Sequence, residues 1–144
     1  MNDSELVLVI DENDVEALID IPSTVGRLEE AFKEHGRGKV TMPVRSRLSL
    51  PDSFGTLRLM PAALTESKTS GLKVLAGTAG HRRQGENYFV VLLHDYEDGA
   101  LKCIMSANRL TQLRTGAISA VATRLLARKD SKTFGLIGAG VQGQ

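Results

Sequence analysis

From Val40 to Ser106, apolar segments of strand length alternate with turn residues at short intervals, and this rhythm restricts the folds open to the chain. The extended candidates are Thr41–Leu50, Thr56–Ala63, Gly71–Gly77, Tyr88–Asp95 and Ala100–Ser106, separated by PDSFG, SKTSG, TAGHRRQGEN and YEDG. Clusters of Gly, Pro, Asn, Asp and Ser between apolar runs are turns. Connections this short join antiparallel neighbours, because a parallel pair needs a long crossover. Before the sheet come a short strand over Glu5–Asp11 and a helix over Glu12–Ile19. A second helix begins at Pro22-Ser23 with Ser23 as its cap, carries Val25, Leu28 and Phe32 on one face, and ends at Gly36 and Gly38, with Gly36 as the stop. After the sheet, Leu110, Leu113, Ala117, Val121 and Leu125 recur at helical spacing within Ala107–Ala127. The predicted fold class is α+β: a mixed, mostly antiparallel sheet with helices.

The last eleven residues, FGLIGAGVQGQ, belong to a different kind of unit. An apolar run over Thr133–Ile137 reads as a strand, and Gly138, Gly140 and Gly143 follow in a G-x-G-x-x-G pattern. In a dinucleotide site the first glycine makes the tight turn, the second admits the pyrophosphate and the third lets the following helix pack closely. The sequence therefore divides near Lys129. Residues 1–129 form an α+β domain, and residues 130–144 are the first strand and glycine-rich turn of a doubly wound, Rossmann-type domain. With no parallel neighbour in the chain, that strand is expected to fray.

Composition excludes several functions. Eighteen Lys and Arg against seventeen Asp and Glu leave a formal charge of +1, so no global field favours nucleic acid or a membrane surface. Two Tyr, four Phe and no Trp are a poor supply for a base-stacking surface. No window approaches the ~20 apolar residues of a membrane span, and the acidic N-terminus MNDSELVLVIDEND does not resemble a secretory leader. The single Cys103 cannot form an internal disulfide. The expected setting is the cytoplasm.

Four cations are candidates for chemistry. Lys73 interrupts the apolar run GLKVLAG, Arg58 lies in TLRLMPA on the face of Thr56 and Met60, Arg45 shares a face of its strand with Arg47, and Arg114 sits mid-helix, near Thr111 and Ile118. A charge in an apolar strand is costly unless it is paired or ligated. Converging cations would clamp a carboxylate or phosphate; the bland reading of each is a snorkelling edge residue or a structural ion pair. His81 and His94 show no metal-ligand spacing, Arg82-Arg83 reads as a solvated loop, and no Ser-His-Asp or Cys-His arrangement is present.

RLMPA (Arg58–Ala62), GLKV (Gly71–Val74), LTQLRTGAISAVATRLLAR (Leu110–Arg128) and FGLIGAGVQGQ, in this order and spacing, resemble the ornithine cyclodeaminase/mu-crystallin family. The resemblance implies a homodimeric enzyme that uses NAD or NADP to transfer hydride at the α-carbon of an amino acid or its imine. Its N-terminal part supplies the substrate pocket and the dimer interface. It implies Lys73 as a catalytic, substrate-contacting lysine and Arg114 as the carboxylate-holding arginine beside the cofactor, with Arg45 or Arg58 as a further pocket arginine. Thr115, Gly138, Gly140, Val141, Gln142 and Gly143 would contact the cofactor. Two departures stand out: the loop GHRRQGEN leads into Tyr88 where many members have a Thr, and the family's catalytic aspartate lies in the cofactor domain, past Gln144. The chain alone is thus expected to be catalytically incomplete. The alternative is a non-enzymatic dimerisation or small-molecule-binding module.

Overall fold

The computed structural model describes residues 6–50, 55–77 and 87–143. Glu5, most of PDSFG and most of the TAGHRRQGEN loop, with His81, Arg82 and Arg83, lie outside the described residues, as does Gln144. The elements are β1 (Leu8–Ile10), α1 (Glu12–Leu18), α2 (Ile21–Gly36), β2 (Val40–Thr41), β3 (Ser46–Leu50), β4 (Gly55–Leu64), β5 (Thr69–Gly77), β6 (Tyr88–Asp95), β7 (Leu101–Ser106) and α3 (Asn108–Leu126). The strands form one sheet in the order β1-β7-β6-β5-β4-β2, with β3 also on β4. Every described pairing is antiparallel except β1 with β7. The α+β expectation is met.

Local chemistry moves several boundaries. The N-cap of α2 is Asp20, not Ser23: the Asp20 carboxylate accepts from the Ser23 amide at 2.8 Å, and Pro22 occupies the first turn. The left-handed residue after α2 is Gly38, at φ +71°, whereas Gly36 is still helical. The strand expected over Thr41–Leu50 is two strands. Pro43 lacks the N–H that a ladder needs, so Met42–Arg45 leaves the sheet and Arg45 no longer shares a strand with Arg47.

The strand expected at Thr133–Ile137 is not formed: no strand lies beside it to complete a ladder, and Ile137 is fully exposed. Leu125, expected on the buried face of the last helix, is 66% exposed, because no described element covers the final turn of α3.

In an antiparallel sheet, paired residues share a face. The pairs Arg58–Leu75, Met60–Lys73, Lys73–Val91, Leu75–Phe89 and Leu93–Cys103 define one face. Cys103 is buried there, and burial raises its thiol pKa. Helices α1 and α2 each touch α3, and α1, α2 and α3 lie against β7, β4 and β6 respectively. Ala117 and Val121 of α3 are buried. The opposite face carries Leu48, Leu57, Leu59, Leu72, Val74, Val90, Leu92 and Ile104, and no described element crosses it.

Two carboxylates tie the helices to the strands. Glu34, 2% exposed at the end of α2, accepts from the amides of Glu66 (2.6 Å) and Ser67 (3.3 Å) and from the Ser67 hydroxyl in the β4–β5 turn. The Ser67 hydroxyl is the main cause holding the Glu34 carboxyl below the usual carboxylate range. Glu12, in the first turn of α1, accepts from the amides of Asn108 (2.7 Å) and Arg109 (3.0 Å). The first residue of α3 is preceded by Ala107, which has no side-chain cap of its own. Glu12 therefore supplies from another helix the carboxylate that the orphan amides and the helix dipole favour.

Candidate active site

The site is built around Lys73. On the middle strand of the β4–β5–β6 ladder it lies between Met60 and Val91, so its stem is surrounded by apolar side chains. Its Nζ stands 4.6 Å from the centre of the Phe89 ring, a cation–π distance. Burial first, and then the Arg114 guanidinium, lower the ammonium from its ordinary 10.5 to about 8. α3 packs against β6, the strand beside β5 that carries Phe89. Among the described residues no carboxylate lies within salt-bridge distance of Lys73.

The other predicted cations fall around the same floor. Arg58 precedes Met60 by two residues and points to the same side, half-buried. Arg45, freed from the ladder by Pro43, is exposed and lines a cavity of about 360 Å³ with Met42, Val44 and Met60. Met60 thus has Lys73 opposite, Arg58 along its strand and Arg45 across the cavity. Arg114 is half-buried on α3. None of Arg45, Arg58 and Arg114 has an acidic partner among the described residues.

The glycine-rich turn meets the start of α3. Gly138 is at φ +92°, which an L side chain rarely adopts. A Cβ on Gly143 would stand 3.0 Å from the Gly138 carbonyl oxygen and from Leu136 Cδ2, closer than side chains ordinarily pack, so a larger residue there would press on the turn. A Cβ on Gly116 of α3 would lie 3.4 Å from the Gln142 carbonyl. Beside this contact is a cavity of about 490 Å³ lined by Val141, Gln142, Asn87, Tyr88, Phe89, Asn108, Thr111 and Gln112. Val141 and Gln142 are therefore brought to a site; Gly140 is exposed in the turn. Thr115 is half-buried and its hydroxyl donates to the Thr111 carbonyl at 2.7 Å.

Phe89 belongs to both places: it carries the Lys73 ammonium and lines the cavity at the glycine turn. It was missed in the sequence, as were Asn87, Asn108, Thr111, Gln112 and the capping role of Glu12. For Phe89 a signal existed, since alternation in YFVVLLHD puts it on one face with Val91. For Glu12 there was none, because its partners are 96 and 97 residues away.

Among the described residues, a half-buried cation with no carboxylate partner thus shares an aromatic wall with a glycine-rich turn set against a helix. The chain belongs to the ornithine cyclodeaminase/mu-crystallin family, which it matches over residues 6–144. It is similar to the alanine dehydrogenase of Archaeoglobus fulgidus, 36% identical over 137 residues that make up 94% of this chain and 41% of the relative. Among solved structures, it is similar to the Thermococcus litoralis Δ1-pyrroline-2-carboxylate reductase in complex with NADH and L-proline, with a TM-score of 0.84, 36% identity, and coverage of 94% of this chain and 43% of the other. An archaeal alanine dehydrogenase dimer with bound NAD gives a TM-score of 0.85 at 36% identity, over 94% of this chain and 42% of that one. The chain thus spans about two-fifths of the length of these relatives. No helix among the described residues is long and apolar enough to cross a membrane.

Proposed function

We propose that this chain is the substrate-binding part of a cytoplasmic, NAD(P)-dependent enzyme of amino-acid metabolism that exchanges hydride at the α-carbon of an amino acid or its imine. The observation that carries this reading is the Lys73 ammonium, half-buried over Phe89 with no carboxylate partner among the described residues. Lys73 and Arg114, with Arg45 as the further arginine, hold the substrate carboxylate, and the guanidiniums do so in bidentate fashion. Fixing the carboxylate fixes the α-carbon, and positioning of this kind supplies much of the rate in hydride transfer.

The glycine turn suits a dinucleotide: it is closed at Gly143, left-handed at Gly138, and flanked by the polar groups of Gln142, Asn108 and Gln112. Gly138, Gly140, Val141, Gln142 and Gly143 would hold the pyrophosphate, with Arg114 and Thr115 next to it. NAD or NADP, when bound, accepts or donates the hydride. Residues 1–129 are the substrate and dimerisation domain, and residues 130–144 open the cofactor-binding one. The nicotinamide-linked reading draws further support from the cofactors in the two related structures.

The test is an NMR titration with L-alanine. Perturbations centred on Met60, Lys73, Phe89 and Arg114 are expected. Shifts confined to other regions would sink the proposal.

The uncovered face of the sheet is the proposed homodimer interface. A contiguous apolar sheet face exposed to water is unfavourable, and Leu48, 58% exposed, extends it onto β3. Sedimentation should give a dimer, and Val74→Glu, at the centre of that face, should give monomers. A monomeric wild-type chain at micromolar concentration would remove this part of the reading.

A further inference from the structure

Arg47 is unused by the site described above. It is the direct cross-strand partner of Arg58 in the β3–β4 ladder, so both guanidiniums leave the sheet on the side of Lys73. Like charges directly opposite each other destabilise a strand pair. Neither arginine has an acidic partner among the described residues, although other arginines of the chain find one: Arg37 pairs with Glu66, and Arg124 with Glu29. A repulsive, uncompensated pair beside a carboxylate site calls for a second anion.

Geometry limits what that anion is. Arg58 lies opposite Leu75, which is two residues from Lys73 on the same face. Arg58 and Lys73 are therefore diagonal neighbours with a spacing of about 7–8 Å between their positions. Arg47, on β3, is two strands from Lys73, so a single carboxylate held by Lys73 and Arg114 leaves it without an anion. A diacid of about four or five carbons, with each carboxylate at hydrogen-bond distance from its cations, spans the gap. A second ammonium on the substrate would instead face cations on every side, with no described carboxylate to receive it.

We propose that Arg47 and Arg58 form a second anion subsite beside Lys73, and that the substrate is a dicarboxylic amino or imino acid whose distal carboxylate they hold. This rests on the carboxylate reading of Lys73 and Arg114. The glycine turn, where a cofactor phosphate would sit, meets α3 and β6 and is separated from β3 and β4 by β5.

Calorimetric titrations of the chain with L-aspartate, L-alanine and inorganic phosphate test it. L-aspartate is expected to bind about ten-fold more tightly than L-alanine, as one further charge-assisted pair allows. Arg47→Gln should remove that preference while leaving L-alanine affinity unchanged, and Arg47→Lys should restore part of it. The glutamine variant should fold at least as well as the wild type, since it relieves the repulsion with Arg58. Equal affinities for the two amino acids, both lost in a Lys73 variant, would overturn the second subsite and leave the carboxylate site standing. Binding that ignores Lys73, or no binding of either amino acid, would overturn both. Phosphate binding more tightly than aspartate and depending on Arg47 would assign the pair to a phosphate and overturn the dicarboxylate.

Discussion

Lys73→Met is expected to make the chain more stable and to abolish its affinity for carboxylates. Both effects have one origin. The Lys73 ammonium is partly desolvated and repelled by Arg114, which is why it is held at about 8 and not at 10.5. In the free protein its charge therefore opposes folding. The whole shift is not available as stability, because a half-exposed group is screened by solvent. A gain of about 1–2 kcal/mol is expected from removing the charge and leaving an apolar side chain over Phe89.

The pH dependence has a definite sign. Below about pH 8 the folded and unfolded states both hold the proton, and the penalty is fully present. Between about 8 and 10.5 the unfolded state binds more protons than the folded one, so stability rises with pH. A bound carboxylate restores the charged form, so its affinity should weaken as pH rises through 8. Urea unfolding at pH 7 and pH 9.5, with and without L-alanine, separates these effects. A methionine variant less stable than the wild type at pH 7 would refute the account.

Gly71→Ala is expected to cost about 1–3 kcal/mol, the range of overpacking against an unyielding neighbour. The added Cβ would stand 2.6 Å from the Leu92 carbonyl oxygen and 3.2 Å from Leu93 Cδ2. The first of these atoms is backbone in the β5–β6 ladder and cannot rotate away. Gly71 lies two residues from Lys73 on the same face, so the strain would spread to the site's floor. A denaturant midpoint that corresponds to less than about 0.5 kcal/mol of change would contradict the close approach.

The strands were legible because their signals are local. Val90, Val91, Leu92 and Leu93 carry β propensity, and YEDG makes a turn whatever surrounds it; β6 and the start of β7 fell within a residue of expectation. The split at Pro43 was also written in the chain, in a residue that removes a ladder donor. What could not be read depends on partners far away in sequence. Ser23 and Asp20 both have cap chemistry, and only the backbone path chooses between them. Leu125 has the right helical phase for the core, but no described element covers the last turn of α3 to bury it. Thr133–Ile137 has strand composition, but a strand exists only through its neighbours. In the site, Lys73, Arg58 and Arg114 stood out as charges in apolar settings. Arg47 gained meaning only from register, because a one-residue slip would have turned it to the other face.

The hydrogen bonds from Asn108 and Arg109 to Glu12 set an order of events during synthesis. The only parallel pairing in the described sheet, β1 on β7, and the cap on α3 both join residues about 95 positions apart. As the chain emerges from the ribosome, the β4–β5–β6–β7 meander can close by short loops while β1 and the start of α1 wait without a partner. Their docking covers the β7 edge and satisfies the leading amides of the helix that bears Arg114. The β1–α1 segment is thus the last piece to be fitted, and a chain lacking it would present an open sheet edge to its neighbours.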